Sequence, residues 1–71
     1  MGIEWVDGFN ISVRVENDGG VVLAANKEGL LSLARIMTTL AEDESRGAHI
    51  HLDQYNSLDD GSAEFIIERV P

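Results

Sequence analysis

Only residues 26–42 of this chain repeat apolar side chains at a helical period. The stretches on both sides alternate apolar and polar residues instead. A lone helix between two alternating halves restricts the fold to few solutions, because one helix covers one face of one sheet. Asn26 is a helix N-cap candidate, and Glu28 follows in the first turn, where a negative charge suits the helix dipole. Leu30, Leu33, Ala34, Met37, Leu40 and Ala41 recur at i, i+3, i+4, i+7 and predict the buried stripe, with Leu31 and Ile36 widening it. Glu28, Ser32, Arg35, Thr39 and Glu42 fall on the opposite side. Gly29 projects near the apolar side, where a missing Cβ permits close approach to a sheet. Gly47 is the expected residue ending the helix. If Glu42 and Arg46 are both helical, they pair at i, i+4.

Residues 11–17 alternate, with Ile11, Val13 and Val15 on one side and Ser12, Arg14 and Glu16 on the other, as in a half-buried strand. Asn17-Asp18-Gly19-Gly20 is a hairpin turn signal, since the turn requires positive φ. Residues 21–25 read as the second strand. Residues 1–9 either extend the first strand or form a short one of their own, with Trp5 and Phe9 packing on the core or its edge. In residues 49–53, Ile50 and Leu52 share one face and His49, His51 and Asp53 the other. A polar loop over 54–62 tucks in Leu58 and turns at Asp59-Asp60-Gly61-Ser62. Residues 63–70 form the fourth strand, with Phe65 and Ile67 opposed to Glu64, Ile66 and Glu68. The expected fold is α+β: a four-stranded, mainly antiparallel sheet with one helix packed on one face, in the order β-β-α-β-β, as a single domain over residues 1–71.

In that fold the helix covers Ile11, Val13, Val15, Ile50, Leu52, Phe65 and Ile67. The other face carries Ser12, Arg14, Glu16, His49, His51, Asp53, Glu64, Ile66 and Glu68. Antiparallel sheets tolerate one wet face, so these residues are either simply solvated or the place where a partner docks. A second copy of the chain, pairing through this face or a sheet edge, is one such partner.

A chain of 71 residues has a thin stability margin, and without cysteine it has neither disulfides nor thiolate metal sites. Acidic residues outnumber basic ones 13 to 5, for a formal charge of −8. That excess disfavours nucleic acid and anionic lipid and favours a basic protein partner. The residues from Met1 to Trp5 lack the basic region and apolar run of a signal peptide, and no apolar stretch approaches the roughly 20 residues of a membrane span. The expected location is the cytoplasm.

His49 and His51 share one side of a strand, roughly 7 Å apart, and two imidazoles so placed can converge on a metal with Asp53 or a glutamate. A His-x-His pair with no second ligand pair is a weak signal, so the reading is an exposed strand and not a metal site. Counting a calcium loop from Asp53 puts Tyr55 and Ser57 where acids or amides belong, and the match fails. Asp59 and Asp60, on an adaptable loop, suit arginine or lysine on another protein. No serine lies in a Gly-x-Ser-x-Gly elbow, and Gly19-Gly20 does not precede a helix as a phosphate-binding loop would. No catalysis and no cofactor are expected.

The second half of the chain resembles a family of small bacterial immunity proteins from polymorphic toxin systems. The likeness rests on the helix opening NKEGLLSLA at 26–34, on HIHLD at 49–53, on Leu58, on Gly61-Ser62, and on EFIIE at 64–68. It covers about two-thirds of the chain. The resemblance implies a protein that binds a cognate toxin and blocks it without catalysis of its own. Many such toxins are nucleases with basic active sites, which an acidic inhibitor complements. The residues expected to meet the toxin are His49, His51, Glu64 and Glu68 on the open sheet face and Asp53, Asp59 and Asp60 in the loop. Asp43 and Glu44, placed against the helix dipole, rank second.

Overall fold

The computed structural model describes residues 4–71. It contains β1 (Ile11–Val15), β2 (Val21–Ala25), α1 (Lys27–Glu42), β3 (His49–Leu52) and β4 (Phe65–Glu68). The class is α+β with the expected order of elements. β1 and β2 form one antiparallel hairpin with Ile11 opposite Ala25 and Val15 opposite Val21. β3 and β4 form a second, with His49 opposite Glu68 and Leu52 opposite Phe65.

The two hairpins do not join into one four-stranded ladder. The free edge of β1 is instead occupied by the β3–β4 loop. Asp59 N–H donates to the Ile11 carbonyl (2.8 Å), Ala63 N–H donates to the Val13 carbonyl (2.8 Å), and Val13 N–H donates to Ser62 Oγ (3.2 Å). Between those contacts the loop turns, with Ser62 N–H on the Asp59 carbonyl (3.1 Å) and Gly61 at φ +82°. A segment that turns there cannot continue a regular strand register, so the sheet splits while the edge of β1 stays satisfied.

Both sheets and the helix contribute to one core of Ile11, Val13, Leu33, Ile36, Ile50, Leu52 and Leu58. Trp5 and Phe9 stack at 4.6 Å between ring centroids and pack against it, half-buried. Their segment is not an extension of β1: Phe9 N–H closes a turn on the Val6 carbonyl at 3.2 Å. The part of that expectation falling on residues 1–3 lies outside the described residues. Val15 departs from its expected place. It pairs with Val21 at the hairpin tip, and both are exposed, because the helix approaches the opposite end of the hairpin.

That approach is fixed at two points. Asn26 Oδ1 accepts from Gly29 N–H (2.8 Å) as the helix cap and from Asn10 N–H (2.9 Å), while its Nδ2 donates to the Gly8 carbonyl (2.9 Å). The cap therefore ties α1 to the segment entering β1. Gly29 then packs directly on that segment: a Cβ there would lie 2.5 Å from the Asn10 carbonyl oxygen and 2.9 Å from Ile11 Cγ1. Replacing Gly29 with alanine should gain about 1 kcal/mol of helix propensity. The clash with fixed backbone outweighs it, so Gly29→Ala is expected to lower stability by about 1–3 kcal/mol in urea unfolding. A raised urea midpoint would contradict this contact.

The helix is rotated from the expected stripe. Its buried residues are Gly29, Ser32, Leu33, Ile36 and Leu40, whereas Leu30, Ala34, Met37 and Ala41 face solvent. Ser32, expected on the polar side, is 0% exposed. Its hydroxyl donates to the Glu28 carbonyl (2.8 Å) and accepts from Val6 N–H (2.9 Å), so a polar side chain is buried with its bonds made. The C-terminus also differs. Asp43 caps α1 in an extended conformation, with its N–H on the Leu40 carbonyl at 3.2 Å, and Gly47 (φ +74°) serves the connection to β3 instead. Arg46 thus lies beyond the helix, and the helical pairing with Glu42 has no basis.

Candidate functional site

β3 and β4 bury Ile50 and Leu52, half-bury Phe65 and Ile67, and leave His49, His51, Ile66 and Glu68 exposed. Alternation thus gathers one open face. On it His49 is the cross-strand partner of Glu68, and His51 that of Ile66. His51 Nδ1 lies 3.5 Å from Glu64 Oε2, and the two imidazoles meet edge to face at 5.0 Å. His49 Nδ1 donates to the Gly47 carbonyl at 2.7 Å, which ties the exposed ring to the turn before β3. Exposed Ile66 is an apolar centre among these polar groups.

The loop acids play unequal parts. Asp53 Oδ1 accepts from Tyr55 N–H (2.9 Å) and Asn56 N–H (3.1 Å), and its carbonyl accepts from Ser57 N–H (3.0 Å) and Leu58 N–H (2.8 Å). It starts the loop as an Asx turn. Asp59 accepts a longer bond from Asn10 Nδ2 (3.3 Å), and Asp60 is exposed at the outside of the turn. These two sit on the segment that closes the β1 edge. Tyr55, 88% exposed in the same loop, is a further candidate that neither alternation nor charge points to. Its signal was an aromatic in a polar loop, and tyrosine is enriched among residues that dominate interfaces.

Asp43 and Glu44 form a separate group at the end of α1. The Asp43 carboxylate accepts from Ser45 N–H (2.8 Å), and its carbonyl accepts from Arg69 Nη1. The Ser45 backbone bond, chiefly, holds the Asp43 carboxyl below the usual range, helped by the Ser45 side chain and by Arg69. A folded-state value below the unfolded one means that this contact stabilises above the ordinary carboxylate range, and its contribution is lost as pH falls through the folded value. Carboxylate-carbon NMR should show Asp43 titrating below an ordinary aspartate. A midpoint at or above the ordinary value would rule the bond out in solution.

The predicted residues therefore form three groups: the β3–β4 face, the loop beside β1, and the helix end. Among the described residues, no three His, Cys, Asp or Glu side chains gather as a metal site. No described helix is long and apolar enough to cross a membrane. The arrangement offers exposed carboxylates and imidazoles around a small apolar centre, which is chemistry for recognition. A family model described as Immunity protein 32 matches residues 20–70, a span that includes β2, α1, β3 and β4. No curated protein and no solved structure matches the chain.

Proposed function

Because the chain belongs to the Immunity protein 32 family, we propose that it neutralises a cognate bacterial toxin by binding it in the cytoplasm, with no catalysis of its own. The family match is the observation that carries this reading. The charge of −8 supports a basic toxin surface as the partner and argues against nucleic acid and membranes, which are themselves anionic. The contact surface is the open β3–β4 face, His49, His51, Glu64, Ile66 and Glu68, together with Asp53, Asp59 and Asp60 in the adjoining loop. Asp43 and Glu44 are second in rank. Carboxylates at the rim steer a basic toxin into contact, while Ile66 and Tyr55 supply the apolar area that holds it.

The test begins with the reading frame beside this one, which should encode the toxin. Co-expression should restore growth, and the two proteins should copurify in a fixed ratio. If a stoichiometric amount of this chain leaves the neighbouring toxin fully active, the proposal fails. Self-association through the same β3–β4 face would compete with the toxin for the same residues. Sedimentation of the free chain, compared with a Glu64→Lys, Glu68→Lys variant, separates that arrangement from toxin binding.

A further inference from the structure

The rotation of α1 leaves its outer side apolar. Leu30 is 55% exposed, Leu31 47% and Met37 48%, and exposed Ala34 and Ala41 continue the row. Leu30, Ala34, Met37 and Ala41 follow one another at intervals of four, three and four, which is the seam of a two-helix coiled coil. Leu31 and Thr38 flank it, and the Thr38 hydroxyl is satisfied within the helix by the Ala34 carbonyl (2.9 Å). From Gly29 to Ala41 the only ionised side chain is Arg35, which faces Glu4 at 3.9 Å.

We infer that this seam is where a second copy of the chain docks, its α1 lying antiparallel to the first. Three features select that occupant. In a chain with 13 acids, α1 contributes none to this face between Glu28 and Glu42, and the one acid beside it, Glu4, faces Arg35 at 3.9 Å, so the seam offers a basic toxin little free negative charge. Large and small residues alternate along it. Antiparallel pairing with Ala34 opposite the second copy's Met37 sets Leu30 opposite Ala41, filling each gap with a larger side chain. The ends of the seam are self-complementary: Lys27, three residues before Leu30, stands on the seam side at the N-terminal end, whereas Glu28 lies in line with buried Ser32 and away from it, and Glu42, Asp43 and Glu44 follow at the C-terminal end. Antiparallel pairing joins opposite charges at both ends, and parallel pairing would join like charges.

The helix has 16 residues and is about 24 Å long, so the interface is small and the expected affinity is micromolar. Two chains of −8 repel, so added salt should strengthen this association, the reverse of its effect on a basic partner. The inference does not depend on the toxin reading, and the free chain tests it.

Sedimentation equilibrium in 0.5 M salt should show a monomer–dimer equilibrium. Met37→Glu should weaken it about tenfold or more while circular dichroism stays unchanged. Orientation is read by thiol trapping, since the chain has no cysteine of its own. Leu30→Cys mixed with Ala41→Cys should form a crosslinked dimer on mild oxidation, well above either variant alone. A chain that stays monomeric to millimolar concentration overturns the inference, as does a dimer unaffected by Met37→Glu. Crosslinking of each variant with itself in preference to the mixture overturns the antiparallel pairing. If Met37→Glu abolishes toxin inhibition and leaves self-association intact, the seam belongs to the toxin and the inference falls.

Discussion

Leu58→Ala is expected to lower the thermal midpoint by about 10–30 °C, a large effect for a residue outside every helix and strand. Leu58 is buried in the shared core with Ile11, Val13, Ile50 and Leu52. Truncating a buried leucine costs about 2–5 kcal/mol. In a domain of this size each kcal/mol moves the midpoint by about 4–8 °C. The whole stability of so small a core rarely exceeds about 3–5 kcal/mol, so the variant approaches complete unfolding at 37 °C. Leu58 also seats the segment that satisfies the β1 edge through Asp59 and Ala63. Hydrogen exchange at those two amides should accelerate first. Tyr55→Ala, in the same loop but exposed, should stay within about 0.5 kcal/mol of the parent. A loss below about 1 kcal/mol for Leu58→Ala would mean that the loop is not anchored by this side chain.

Legibility in the sequence follows how local each determinant is. The inward residues of β1 and β3, Ile11, Val13, Ile50 and Leu52, are set by a period of two, and the structure buries all four. The Asp18-Gly19 turn and the Asn26 cap are signalled by neighbouring residues, and both form, with Gly19 at φ +91°. The rotation of α1 is set by something distant. Apolar residues surround much of this helix, so two stripes compete. The outcome rests on Ser32 accepting from the Val6 amide and on Gly29 closing against Asn10. Neither contact leaves a periodic trace. The split of the sheet is equally hidden, because the β1 edge is closed largely by backbone groups of an irregular loop. At the site, alternation exposed the face of His49, His51 and Glu68. That Asp53 holds its own loop, and that Asp59 and Asp60 lie beside β1, depend on how the loop folds back.

Charge reversal at Asp59 and Asp60 should slow association with the toxin by about 10–100-fold at low salt, with a much smaller change in dissociation. The fold should survive, because the bond holding this segment to Ile11 comes from the Asp59 backbone N–H, and the Asp59 side chain contributes one exposed bond of 3.3 Å. Asp59→Lys with Asp60→Lys changes the net charge by +4, from −8 to −4, and a slower rate by itself could reflect total charge alone. Asp43→Lys with Glu44→Lys makes the same change in net charge at the second-ranked surface, the end of α1, and serves as the comparison. If the toxin meets the loop, the Asp59/Asp60 variant loses more on-rate than the Asp43/Glu44 variant. The difference should narrow as salt shortens the screening length from about 10 Å at 0.1 M to about 3 Å at 1 M. Equal losses would mean that the loop holds no larger share of the encounter than the end of α1, and the first rank given to Asp59 and Asp60 would fall. A larger loss at the helix end would move the interface there, to the side where Arg69 and the Ser45 turn hold Asp43.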